Sequence, residues 1–213
     1  MTGLSATTGR RTKLNLKERR HELLCEELSE LAFDLFAERG FDQTTVDDVA
    51  QAAGISRRTF FRYFKTKEDV VLRRWDDMCD RLEAALTARP KREPPIVATL
   101  RALQTVMTHY AANADRTRRL RRLCCETPSL LAHRLEKQVA WRACIAKAVA
   151  ARMPARARKT FVPQLVAAVA IGAFDVAADV WQDGDDLDLL KTLDTVFASL
   201  PKVVAGVADS DSD

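Results

Sequence analysis

The sequence predicts an all-α protein: an N-terminal three-helix unit, then a larger helical domain, about nine helices in all. Three observations carry this. Apolar residues recur three and four apart along most of the chain, while period-two alternation is hard to find. The 213 residues include only 7 Gly and 7 Pro, too few for a repetitive or disordered chain. Thr- and Ser-led starts and Gly stops punctuate the first part at helix-length intervals.

Hydrophobic residues make up 47% of the chain, enough for a real core. The net charge of +4 is modest, but its distribution is uneven. Basic residues crowd the first part, and Asp209, Asp211 and Asp213 make an acidic end. The expected divisions are a disordered basic arm at 1–15, a helical head at 16–66, a second domain at 67–206 and an acidic tail at 207–213.

In the arm, Arg10, Arg11 and Lys13 suit either a nucleic-acid backbone or a solvated tail. From Leu16 to Arg39 one amphipathic helix is predicted, with Leu24, Leu28, Leu31, Ala32, Leu35 and Phe36 as its stripe. Gly40 ends it and Arg39 suits its negative end. Thr45 with Asp48 is an acidic capping box and starts a short helix whose apolar face is Val46, Val49, Ala50 and Ala53. Gly54 suits the turn that follows, and Ser56 caps the next helix. Phe60 and Phe64 pack inward from that helix, leaving Arg57, Arg58, Thr59, Arg62 and Tyr63 outward. A Gly turn between two short helices, the second basic at its start, describes a helix-turn-helix that fits the major groove. A plain helical hairpin with a solvated face would mix charge signs; this one does not. Thr66 with Asp69 repeats the cap and opens a helix from Lys67 to about Ala88. Its inner positions are Val71, Trp75, Met78, Leu82 and Leu86.

The stretch TTVDDVAQAAGISRRTFFRYFKTKEDVV, extended back through LAFDLFAERGFDQ, resembles the DNA-binding segment of the TetR family of bacterial transcription regulators. The resemblance covers roughly Leu23 to Val71, and the recognition helix SRRTFFRYF looks like that of actinobacterial members. It implies operator binding through this head. It also implies a divergent C-terminal domain in which a small effector moves the helix after the head, and repression as the usual mode.

Beyond the prolines at 90, 94 and 95, helices are predicted at Ile96 to Ala112, Asp115 to Cys125, Thr127 to Met153, Ala155 to Trp181 with a bend or break at Pro163, and Leu187 to Val204. The run from Phe161 to Trp181 is apolar enough to raise a membrane question, which Gln164, Asp175 and Asp179 argue against. It has two apolar faces: Leu165, Val169, Gly172, Val176 and Val180, and beside them Val166, Ala170, Phe174, Ala177 and Trp181. A helix apolar on two sides is covered on two sides. The last helix has the same excess, so these two helices from each of two chains would form a four-helix bundle across a two-fold axis. The family resemblance implies the same homodimer.

The expected DNA-binding residues are Thr45, Arg57, Arg58, Thr59, Arg62, Tyr63, Lys65 and Lys67. Arg57, Arg58 and Arg62 are candidates for base edges, because an arginine fork pairs with guanine twice. Thr59 suits a thymine methyl or a phosphate. Tyr63, Lys65, Lys67 and the capped Thr45 suit phosphates. The expected ligand-binding residues are Trp75, Met78, His109, Tyr110, Trp141 and Phe174, large or polar groups on helices that pack inward. Position by position, most of them read first as plain core and only second as ligand contacts. The effector expected is small and apolar or amphipathic. The basic run Arg116 to Arg122 is either a solvated face or the rim of an opening for an anion such as an acyl thioester of coenzyme A.

Five cysteines without zinc spacing or a secretory signal predict reduced thiols in the cytoplasm, near the nucleoid when DNA is bound. The adjacent Cys124 and Cys125 leave a thiol-based redox repressor as one alternative. A regulator that needs no effector is another. No phosphate-cradling Gly loop, metal-spaced cluster or nucleophile elbow is present in the sequence, so no cofactor, metal or enzymatic activity is expected.

Overall fold

The computed structural model describes residues 15–184 and 187–206, and among these no strand forms. The expected basic arm, apart from Asn15, and the acidic tail lie outside the described residues. Contacts divide the chain into two compact units, one ending at Asp76 and the other beginning at Asp77.

The first unit begins with α1, Leu16–Arg39. Cys25, Leu28, Ala32, Phe33, Leu35 and Phe36 are its buried stripe; Leu24 and Leu31 are half-buried. Gly40 closes α1 at φ 86°, a left-handed conformation that a side chain would strain. Then come α2 (Val46–Ala52), α3 (Arg57–Tyr63) and α4 (Lys67–Leu72). Thr45, Ser56 and Thr66 cap them by accepting the backbone N–H three residues on, and Asp48 and Asp69 complete the two capping boxes. A cap of this kind is worth about 1 kcal/mol, which matters for helices of 6 or 7 residues that cannot persist alone. Gly54, at φ 65°, makes the turn between α2 and α3. Phe60 and Phe64 are buried from α3, as their spacing predicts.

The continuous helix expected from Lys67 to Ala88 is interrupted. α4 stops at Leu72, a 3-10 turn covers Arg73–Trp75, and α5 (Met78–Ala88) starts afresh after Asp77. Tandem Asp76 and Asp77 are poor interior residues; Asp77 makes no side-chain cap and instead holds Arg81 at 2.6 Å in the first turn of α5. The inner positions Val71, Trp75, Met78, Leu82 and Leu86 are all buried despite the break. α4 and the 3-10 turn pack on α1, so the first unit runs past the expected boundary at 66 to Asp76.

The second unit holds α5, α6 (Pro95–Ala111), α7 (Ala114–Glu126), α8 (Pro128–Arg152), α9 (Ala155–Arg158), α10 (Val162–Asp183) and α11 (Leu189–Val204). The helix expected from Ala155 to Trp181, with a bend or break at Pro163, is two, and the break falls just before that proline. The Thr160 hydroxyl donates to the Ala157 carbonyl at 2.7 Å and accepts the Val162 N–H at 3.3 Å, which ends one helix and starts the other. Pro163 falls in the first turn of α10, where its missing N–H costs nothing. These two interruptions turn nine expected helices into eleven among the described residues. α10 is the hub, packed on α8, α11 and α6. It is the one described helix long and apolar enough to cross a membrane, but Asp175 and Asp179 along it pair with Gln138 and Arg121 of the same unit. It is a core helix. Arg152 ties off α5 by donating to the carbonyls of Leu86 and Arg89 at 2.7 and 2.9 Å.

Candidate functional site

The helix-turn-helix is built as its spacing predicts, and α3 turns its basic residues to solvent. Arg57, Arg58 and Arg62 are exposed; Thr59 and Tyr63 are half-buried. Three anchors fix the helix: the Ser56 cap at its start, buried Phe60 along its inner face, and Phe64 just beyond its end. The arginines are held differently. Arg57 donates to Asp47 of α2 at 2.7 Å, with both side chains about 60% exposed. An exposed pair of this kind contributes at most about 1 kcal/mol, so a phosphate or guanine can displace it. Arg62 lies over the Tyr63 ring at 4.9 Å and donates to its hydroxyl at 2.9 Å. Tyr63 also stacks on His21 of α1 at 4.9 Å. Arg58 and Lys65 are exposed and have no intramolecular partner among the described residues. Thr45 shares its hydroxyl with Asp48 at 2.6 Å at the exposed N-terminus of α2. Seven of the eight expected contacts therefore lie in or beside the outer face of α3 and at the start of α2.

Lys67 is held differently. Its ammonium donates to the carbonyls of Phe41 at 2.7 Å and Thr44 at 3.1 Å, and lies 4.0 Å from the centroid of the Phe41 ring. It braces the loop between α1 and α2. Lys67→Met, which keeps the stem and removes the donors, should lower stability by about 1.5–3 kcal/mol, read as a lower midpoint in urea.

Sequence reasoning missed Phe61. It is 43% exposed on α3, set edge-on against Phe60 at 5.5 Å, with the Arg57 guanidinium 5.5 Å from its centroid. The signal was its position four residues after Arg57 on a helix whose inner face Phe60 and Phe64 already fill.

The expected ligand residues divide. Trp75 is buried in the first unit. Met78, Tyr110 and Trp141 are buried in the second, and Phe174 is half-buried. His109 does not pack inward: it is exposed, edge-on to Tyr110 at 5.3 Å, because the buried stripe of α6 runs through Ala102, Leu103, Val106 and Tyr110. An open groove of about 510 Å³ between α6 and α11, edged by Arg101, Gln104, Thr108 and Asp194, is lined by none of the six.

The arginine run on α7 is not one solvated face. Arg119 and Arg122 are exposed, but Arg121 is buried against Asp179 at 2.5 Å. Arg118 lies 4.7 Å over the Trp181 ring and donates to the Gly184 carbonyl at 3.2 Å. The neighbouring Cys124 is fully buried, and burial pushes its thiol up to about 12. A protonated, enclosed thiol is a poor nucleophile; Cys125 beside it is half-buried.

Comparison with known proteins agrees with this geometry. Residues 28–73 match the family model described as bacterial regulatory proteins, tetR family, and residues 93–205 match the MftR C-terminal domain. The chain is 32% identical over 179 residues to the Mycobacterium tuberculosis regulator MftR, named for mycofactocin biosynthesis; the match covers 84% of this chain and 90% of that one. It is 30% identical over 190 residues to the HTH-type transcriptional regulator TcmR of Streptomyces glaucescens, covering 86% and 84%. Among solved structures, FadR of Bacillus subtilis in complex with stearoyl-CoA superposes with a TM-score of 0.60 at 16% identity, covering 82% of this chain and 96% of that one. At that identity the likeness speaks for the fold.

Proposed function

The chain belongs to the TetR family of bacterial transcriptional regulators, and from that premise we propose that it is a homodimeric repressor that leaves a palindromic operator when a small effector binds its C-terminal domain. Members of this family are DNA-binding regulators of the cytoplasm, not enzymes. One observation supports the dimer. Leu165, Val169, Val176 and Val180 of α10 are 37–53% exposed, with Gly172 open among them, although the opposite side of the same helix is core. A face this apolar on a soluble protein calls for a cover, and a second copy supplies one across a two-fold axis. Val203 and Val204 at the end of α11 are also exposed. The two copies of α3 would then address two half-sites, with Arg57, Arg58 and Arg62 at base edges and Thr45, Tyr63 and Lys65 at phosphates. Phe61 would meet a thymine methyl. The protein would sit on the nucleoid in its repressing state.

Binding should weaken steeply with salt. Titrating operator affinity against potassium chloride should give a log–log slope of about −0.9 for each phosphate neutralised. A slope near zero would rule out phosphate anchoring by this face.

The effector proposed is a small amphipathic molecule, and acyl chains carried either as free acids or as thioesters of coenzyme A are the classes to test. Melting temperature in the presence of both series at rising chain length should climb for the class and lengths that fit. A flat response across either series excludes that class.

A further inference from the structure

The interior of the second unit holds a polar cluster where α7, α8 and α10 meet, and its donors outnumber its acceptors. Arg121 is buried, and its one carboxylate partner, Asp179, is largely exposed. Arg134 of α8 is also enclosed, with Asp175 no closer than 3.8 Å. Asp175 is better held by Gln138, itself buried, at 2.5 Å. Arg118 is engaged with backbone carbonyls at the end of α10. The Nε–H groups of Arg118, Arg121 and Arg134 and the indole N–H of Trp181 are all buried without an acceptor. Unmet donors of this kind are few in native interiors, and buried guanidinium groups short of acceptors are costlier still. Arg121 and Arg134 have Asp179 and Asp175 as their carboxylate partners, and each still leaves an Nε–H over. Burial pushes the Asp175 carboxyl above its ordinary range, against the pull of Arg134 and Arg121.

We infer that this cluster is the site for the carboxylate head of an amphipathic acid, gripped by Arg121 and Arg134 while its tail runs among the apolar side chains of the unit. A carboxylate accepts two parallel N–H bonds from one guanidinium and would supply the acceptors that the buried Nε–H groups lack. The charged part of a coenzyme A thioester is far larger and would have to stay outside. The inference rests on the reading that this unit binds an effector, and it names the chemistry of that effector's head.

Calorimetric titration of the full-length dimer with octanoate and hexadecanoate, each beside its methyl ester and its coenzyme A thioester, tests it. At least one free acid should bind at least about tenfold more tightly than its ester. Arg121→Leu should remove that advantage and leave ester binding unchanged. Asp175→Asn, which withdraws the carboxylate competing for Arg134, should tighten acid binding. This variant decides the matter if Arg121→Leu does not fold. Equal affinity for acid and ester, binding of the thioesters alone, no binding of either acid, or an Asp175→Asn variant that binds the acid no better would each overturn the assignment. Operator binding measured on the same preparation separates the two levels. If it fails, the regulator reading falls; if it persists without acid binding, only this site does.

Discussion

Val169→Asp should convert the dimer to monomers and abolish operator binding while the helical content stays unchanged. Val169 lies within the exposed apolar face of α10, flanked one turn on each side by Leu165 and Gly172. In the monomer the new carboxylate would face water, so the fold would lose little. At a two-fold interface the change appears twice, close to itself, and each copy pays several kcal/mol of desolvation with no cation opposite. The dimer dissociation constant should therefore rise at least about a hundredfold. Sedimentation at several concentrations reads the effect directly. A variant that remains dimeric with wild-type affinity would move the interface off this face.

The second large effect is expected at Arg58. It is exposed on the outer face of α3 and has no bonding partner among the described residues, so removing it orphans none of them. Arg58→Ala should weaken specific operator binding by about 1–3 kcal/mol per half-site, with stability within about 0.5 kcal/mol of wild type. Arg57→Ala should cost less, because the freed guanidinium of Arg57 must first leave Asp47, and part of the contact it makes with DNA is spent on that exchange. Competition gel shifts separate specific from bulk binding: Arg58→Ala should lower the ratio between the two. A uniform loss on all DNA would instead make Arg58 a phosphate contact.

Much of this molecule was legible in its sequence, and the reasons are local. The capping boxes at Thr45 and Thr66, the left-handed glycines at 40 and 54 and the stripe of α1 are decided within a few residues, so spacing alone finds them. The two faces of α10 were readable for the same reason: one is core, the other exposed. What spacing could not supply was competition between equally good local choices. From Lys67 to Ala88 the apolar period runs unbroken, yet Asp76 and Asp77 restart the helix, because initiation depends on backbone angles that periodicity does not record. Lys67 read as a phosphate ligand because it is basic and near the recognition helix. Within the protein its partners, the carbonyls of Phe41 and Thr44, are more than twenty residues away in the chain. Arg121 and Arg134 were hidden in the same way. A basic run looks solvated until the chain brings it against the acidic residues of α10.

The central claim is that one duplex meets α3 twice across a two-fold axis. Selection of bound sequences from random double-stranded DNA tests it most directly. The recovered sites should share an inverted repeat whose half-sites lie about one helical turn, or a whole multiple of one, apart. Enrichment of a single unrepeated half-site, or no enrichment over bulk DNA, would contradict it.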